Sequence, residues 1–127
     1  MAGILVANGW INGVAKNVNL YVAKSLLENG SGYEEDVVSG IDWCVNQNVN
    51  IISLSLGGGQ DLFPLLGSSS RTIEDSVNDA MARGIFVVAA AGNDGGEEDD
   101  GDVASPGSER RVICVGGVTQ SGSHWSK

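Results

Sequence analysis

Two glycine-rich turns carry the residues of this sequence that are best placed to do chemistry. One covers residues 55–59 (SLGGG) and the other residues 91–95 (AGNDG), and each directly follows an apolar segment. Glycine allows a second backbone to approach closely, and the amides of such a turn can point at it. Taken locally, Asn93 is a turn asparagine that supports a tight bend. The two turns alone therefore predict a binding edge and no specific reaction.

Other reactive side chains are few. The only histidine, His124, lies in a serine-rich stretch, and we expect a surface or packing residue because a catalytic histidine needs a nucleophile and an orienting acid. Cys44 and Cys114 each lie in an apolar segment. We expect buried free thiols, with a disulfide between them as the alternative. The cysteine spacing fits no zinc motif, so no metal site is predicted.

The charge balance restricts the class of partner. The 127 residues carry a formal net charge of −9, which argues against nucleic acid and anionic membranes as partners. Much of the excess lies in residues 97–102 (EEDDGD); we expect a solvated loop there, with a site for a hard cation as the alternative. No apolar run approaches the roughly 18 residues that span a bilayer. The N-terminus shows no signal-peptide pattern.

The elements that must position the two turns follow from the apolar pattern. Four short segments are almost continuously apolar, at residues 20–23, 49–56, 85–91 and 112–118. Such runs are typical of parallel strands that are buried on both faces. Two helical stripes lie between them, at residues 36–46 and 72–83. We therefore predict one domain of the α/β class, a three-layer sandwich with a mainly parallel sheet.

Local signals mark the ends and contacts of these helices. Thr72 followed by Asp75 resembles a capping box, and Gly84 stands where a left-handed residue ends a helix. Gly40 inside the first helix costs about 1 kcal/mol relative to alanine, which a close helix–sheet contact would explain. Ligands of open parallel sheets bind beyond the carboxyl ends of the strands. Both glycine-rich turns are predicted to lie at that edge.

The ordered set of segments resembles the middle of the catalytic domain of subtilisin-like serine proteases, the subtilases. The segments that carry the resemblance are residues 13–15 (GVA), 20–24 (LYVAK), 30–32 (GSG), 38–43 (VSGIDW), 50–58 (NIISLSLGG), 87–95 (VVAAAGNDG), 104–106 (ASP) and 112–118 (VICVGGV). The resemblance covers nearly the whole chain, so residues 1–127 are expected to form part of such a domain. It implies that the catalytic histidine and aspartate lie upstream of Met1 and the catalytic serine beyond Lys127. The segment alone is then expected to be inactive.

The resemblance also implies roles for individual residues. Asn93 matches the asparagine of the oxyanion hole, whose side-chain amide donates to the oxygen that becomes negative when serine attacks. An extended peptide or protein substrate would lie as an added strand between residues 30–32 and 55–57. Val37 and Leu56 would line a distal apolar pocket, and Asp94 would lie near the base of the primary pocket. The implied substrate-binding residues are Gly30, Ser31, Gly32, Val37, Ser55, Leu56, Gly57, Ala91, Gly92 and Asp94.

No cofactor is carried over from the resemblance. Residues 7–13 form a shorter stretch than the family loop that commonly supplies a calcium site. The family is mostly extracellular, although the segment has no signal peptide of its own. In the family, a further strand separates the counterparts of residues 20–24 and 49–56. We therefore expect these two strands either to pair directly or to leave a gap that a second chain fills, giving a homo-oligomer through exposed strand edges.

Two other functions compete with the protease segment. The first is a non-catalytic α/β module, derived from a subtilase, that binds peptides or assembles with itself. The second is nucleotide binding at residues 57–59. The sequence disfavours it because it lacks both the G-x-G-x-x-G pattern and a P-loop lysine.

Overall fold

The computed structural model describes residues 1–57, 71–93, 103–123 and 125. These residues form, in chain order, α1 (Ala2–Val6), α2 (Glu34–Asn46), β1 (Ile51–Leu54), α3 (Ile73–Ala82), β2 (Phe86–Ala90) and β3 (Ile113–Val115). The three strands are parallel and lie side by side in the order β1-β2-β3. The predicted α/β class with a parallel sheet is confirmed.

The core lies between one face of the sheet and the two longer helices. Along β1 and β2 every second residue is buried, which is the period of a strand with one covered face. Ile52 and Val87 are directly opposite each other in the register and are 5% and 1% exposed. The buried apolar residues are Val37, Val38, Ile41, Val45, Ile52, Leu54, Ile73, Val77, Ala80, Ile85, Val87 and Ala89.

The opposite face of the sheet is open in the part of the chain that the structure describes. Ile51 and Phe86 are opposite each other in the register and are 61% and 66% exposed. Ile113 and Val115 of β3 are about half exposed. The continuous apolar runs predicted burial on both faces, and the described residues cover one. The open face is thus apolar in sequence but uncovered here.

Residues 20–23 form no strand, so this prediction is wrong. Leu20, Tyr21 and Val22 are all exposed, and the segment does not pair with β1. A strand needs a ladder partner for its backbone groups. This segment instead passes beside α2, where the rings of Tyr21 and Trp43 pack edge to face with their centroids 6.1 Å apart. Direct pairing with β1 is therefore excluded. Filling of the gap by a second chain stays a prediction.

The helix signals read from the sequence are confirmed. Thr72 Oγ1 accepts from the backbone N–H of Asp75, and the Asp75 carboxylate accepts from the N–H of Thr72. Gly84 has a φ of +83° just beyond α3. A Cβ on Gly40 would lie 2.3 Å from Ser25 Oγ and 3.4 Å from Ala23 Cβ. The predicted helix–sheet contact at Gly40 is therefore wrong, because the close approach is to residues 23–25, which form no strand.

The two cysteines differ in burial. Both thiols are free in this structure. Cys44 is half-buried, and desolvation by the surrounding atoms raises the pKa of its thiol. Cys114 is exposed, which contradicts the expectation of burial, because β3 is the last strand of the described sheet. No helix among the described residues has the length and hydropathy needed to cross a membrane.

Candidate functional site

The candidate site is the edge of the sheet where β1 and β2 end. Because these strands are parallel, the residues that follow them, Ser55 to Gly57 and Ala91 to Asn93, leave the sheet at the same edge. A Cβ placed on Gly57 would lie 3.7 Å from the carbonyl oxygen of Ala90. The two predicted turns therefore begin as close neighbours. Gly58, Gly59, Asp94 and Gly95 lie outside the described residues.

Asn93 stands at the rim of this edge. The backbone N–H of Ala91 still donates to the Val115 carbonyl at 3.0 Å, which continues the sheet one residue past β2. Gly92 then has a φ of +100°, a backbone conformation that side-chain-bearing residues rarely adopt. The chain turns at this point, and Asn93 is exposed directly after the turn. Its position at the rim follows from a glycine that the turn requires.

A third segment, residues 104–107, packs on the same edge. The N–H of Ala104 donates to the carbonyl of Ala91 at 2.9 Å. The Ser105 carbonyl oxygen lies 3.3 Å from the position of a Cβ on Gly57, and a Cβ on Gly107 would lie 2.6 Å from the Ala90 oxygen. The segment thus packs closely against the ends of both β1 and β2. The sequence signalled it only through the Ala-Ser-Pro motif, which predicts no contact.

The turn at Gly30 to Gly32 is closed on itself. The backbone of Leu27 accepts from Gly30 N and donates to Ser31 O, at 3.0 and 2.8 Å. Asn29 Oδ1 accepts from both the backbone N–H and the hydroxyl of Ser31. None of the hydrogen bonds found among the described residues joins this turn to residues 55–57 or 91–93. The predicted second wall of the cleft is therefore closed by its own hydrogen bonds, and none of those found among the described residues joins it to the first.

The two residues predicted to line a distal pocket occupy different environments. Val37 is 1% exposed and belongs to the core beneath α2. Leu56 is half-buried and packs against that core from the end of β1. Only Leu56 therefore reaches the candidate edge with accessible surface.

The described edge presents backbone groups, the Ser55 side chain and the Asn93 side chain, and both of these residues are exposed. The described residues hold no group of three or more His, Cys, Asp or Glu side chains that could bind a metal ion. The acidic run at residues 97–102 and His124 lie outside the described residues. The chemistry visible at the edge is thus that of backbone groups and of the Ser55 and Asn93 side chains.

Comparison with known sequences places this chain in a family. The profile of the subtilase family matches residues 1–127. The major intracellular serine protease of Bacillus subtilis (strain 168) is 40% identical over 124 residues, which cover 94% of this chain and 36% of that protein. Subtilisin DY of Bacillus licheniformis is 41% identical over 106 residues, covering 84% of this chain and 36% of the relative. The chain therefore spans about a third of the length of these relatives.

Solved structures show the same fold. The self-cleaved protease domain of PatA matches 98% of this chain and 45% of its own, with a TM-score of 0.78 at 22% identity. The epidermin leader peptide processing serine protease EpiP of Staphylococcus aureus matches 97% of this chain and 34% of its own, with a TM-score of 0.73 at 22% identity. The sequence matches show the family and the structural matches show the fold, so this chain belongs to the subtilase family of serine proteases and corresponds to part of its protease domain.

Proposed function

We propose that this chain forms the substrate-binding centre of a subtilase endopeptidase domain and that Asn93 is its oxyanion donor. The observation that carries the proposal is the placement of Asn93. It is exposed at the carboxyl edge, directly after a glycine with a φ of +100° and beside the turn that ends β1. An amide at this position can reach a peptide carbonyl that lies across the edge.

The proposed role of Asn93 is electrostatic. When a serine attacks the scissile carbonyl, negative charge develops on the carbonyl oxygen, and a side-chain N–H fixed beside it stabilises that charge. The bond is stronger in the transition state than in the bound substrate, so it accelerates the reaction instead of merely tightening binding. The turn at Gly92 holds the amide in place before the charge forms.

The substrate is held by added-strand pairing in this proposal. Ser55 to Gly57 offer backbone groups to one side of an extended peptide. The Gly30 carbonyl and Gly32 offer theirs to the other side, since the N–H groups of Gly30 and Ser31 are used within their own turn. Leu56 supplies apolar contact to one side chain, and Ala91 and Gly92 form walls of the primary pocket. An acidic residue at position 94 favours a basic side chain in that pocket.

Hydrolysis requires groups beyond these residues. No residue of this chain matches the nucleophile or the base of the triad, and the proposal therefore assigns them to other parts of the protease domain. The 127-residue chain on its own is expected to bind peptides without cleaving them. A fluorophosphonate, which labels an activated serine, should leave the isolated chain unlabelled, and labelling would contradict this assignment.

The role of Asn93 is tested in the complete protease domain that carries this chain. Asn93→Ala should lower kcat by about 10²–10³ and leave KM within about threefold, since the lost bond acts in the transition state. We adopt this magnitude from the known effect of removing such a donor from a subtilisin. The matched control is Asn17→Ala, an exposed asparagine far from the edge in sequence, which should keep wild-type kinetics. Equal kcat values for the two variants would contradict the proposal.

Self-assembly is a second candidate for the isolated chain. It is favoured by the open sheet face, where Ile51 and Phe86 are 61% and 66% exposed. Contiguous exposed apolar surface of this kind is typical of interaction sites. Sedimentation of the chain between micromolar and millimolar concentrations tests it. A concentration-dependent dimer that Phe86→Ser abolishes would support assembly, and a monomer throughout would contradict it.

A further inference from the structure

Helix α3 is joined to residues 105 and 109, in and just after the segment that packs on the candidate edge, by two side-chain hydrogen bonds. Glu74 Oε1 accepts from the hydroxyl of Ser105, and Asn78 Nδ2 donates to Glu109 Oε2 at 3.2 Å. All four side chains belong to half-buried residues. Positions 74 and 78 are four residues apart and so lie on one face of the helix. One face of α3 therefore holds the segment that packs on the edge.

The helix is a firm anchor for these bonds. Val77 and Ala80 are fully buried, and the capping box closes the first turn. The N–H of Ile73 donates to Glu34 Oε1 at 3.1 Å, which fixes the start of α3 to the start of α2. Arg71 also pairs with Asp42 of α2 at 2.9 Å. Glu74 is thus attached to one of the best-buried elements of the chain.

The segment held by Glu74 bears directly on the site. Ser105 follows Ala104, whose N–H donates to the Ala91 carbonyl at 2.9 Å. Ala91 is two residues before Asn93. A shift of residues 104 and 105 would therefore move the backbone that leads into the turn at Gly92. Gly107 packs closely against the end of β2, because a Cβ at this position would lie 2.6 Å from the Ala90 carbonyl oxygen.

From this chain of contacts we infer that Glu74 is a positioning residue for the peptide-binding edge. It acts through Ser105 and Ala104 on the wall formed by Ala91 and Gly92. A carboxylate suits this task because a hydrogen bond to an ionised acceptor is about twice as strong as a neutral one. If Glu74 positions this wall, it influences peptide selectivity without touching the peptide. This consequence rests on the proposed function.

The hydrogen bond is tested first, by amide hydrogen exchange in this chain. Glu74→Ala and Ser105→Ala should each speed exchange of the Ala104 amide about tenfold, as expected for the loss of one charge-assisted bond. Glu74→Gln should stay within about threefold of wild type, because its amide oxygen can still accept. Glu35→Ala is the matched control, an exposed glutamate in the first turn of α2. Exchange at Val77 serves as the internal reference for global opening.

The effect on the site is measured with peptides that differ only in the side chain entering the primary pocket. Glu74→Ala should change the ratio of their dissociation constants by about fivefold, whereas a loss of overall stability would weaken all of them alike. Glu74→Gln should restore the ratio. An unchanged Ala104 exchange rate or an unchanged ratio in Glu74→Ala would overturn the inference. If the wild-type chain binds no peptide, the proposed function fails, while the exchange experiment still decides whether Glu74 holds Ala104.

Discussion

The two faces of one three-stranded sheet differ in almost every physical respect. On one face, Ile52 and Val87 are buried beneath α2 and α3, and an ion pair and a capping box fix the helices above them. On the other face, the neighbouring residues Ile51 and Phe86 are mostly exposed. Apart from Ser53, the β1 and β2 residues on the open face are apolar like those on the covered face, so composition hardly distinguishes the two faces. The stability of the described part must therefore come from the covered face.

This difference favours the carboxyl edge over either face as the place of the proposed site. The carboxyl edge is attached to the covered side through the bonds from α3 to residues 104–109. Its backbone is held in place there, while Asn93 and Ser55 remain exposed. A binding edge needs both properties, because a site built on fixed elements loses less conformational entropy on binding.

The largest change in stability is expected between substitutions at two neighbouring residues of β1 that point to opposite faces. Ile52→Ala should lower the free energy of unfolding by about 3 kcal/mol through lost burial and a cavity. Ile51→Ala should cost less than about 0.5 kcal/mol because its side chain is already in solvent. Urea denaturation of both variants measures the difference. Similar losses for the two variants would mean that the open face is covered in solution and that the two faces do not differ in burial.

A smaller effect concerns the helix layer alone. Thr72→Ala removes the hydrogen bond that Thr72 Oγ1 accepts from Asp75 N–H. It should lower the free energy of unfolding by about 1 kcal/mol, whereas Thr72→Ser should lower it by about 0.3 kcal/mol or less. Thermal unfolding followed by circular dichroism measures both. Ser39→Ala, at an exposed position of α2, is the control and should be close to neutral. A Thr72→Ala variant as stable as this control would show that the capping box at the start of α3 does not contribute to the stability of the fold.

The smallest effect is a difference in thiol reactivity. The thiolate is the reactive form, and burial raises the pKa of the Cys44 thiol, so at pH 8 less of it is ionised than in an exposed cysteine. We expect Cys114 to react with a disulfide reagent at least about threefold faster than Cys44, with the Cys44 rate still rising at higher pH. Single Cys→Ser variants separate the two rates. Faster reaction at Cys44 would contradict the burial described here.

Much of this fold could be predicted because its signals are local. The apolar stripes of α2 and α3, the Thr72–Asp75 pair and Gly84 depend on residues a few positions apart, and the structure contains each of them. Residues 20–23 and Cys114 were misread because strand formation and burial depend on neighbours that the segment itself does not specify. The same limit applies to the site. The turns at residues 57 and 92 are visible in the sequence, whereas the bond from Glu74 to Ser105 joins residues 31 positions apart.

We propose that a peptide binds at the carboxyl edge and not on the open face of the sheet. The most direct test is to titrate the isotopically labelled chain with an extended peptide that ends in a basic residue and to follow its backbone amide shifts. Binding at the edge should shift the amides of Ser55 to Gly57 and of Ala91 to Asn93 while leaving Ile51, Phe86 and Ile113 in place. Shifts confined to those three residues, with the edge unchanged, would contradict the claim.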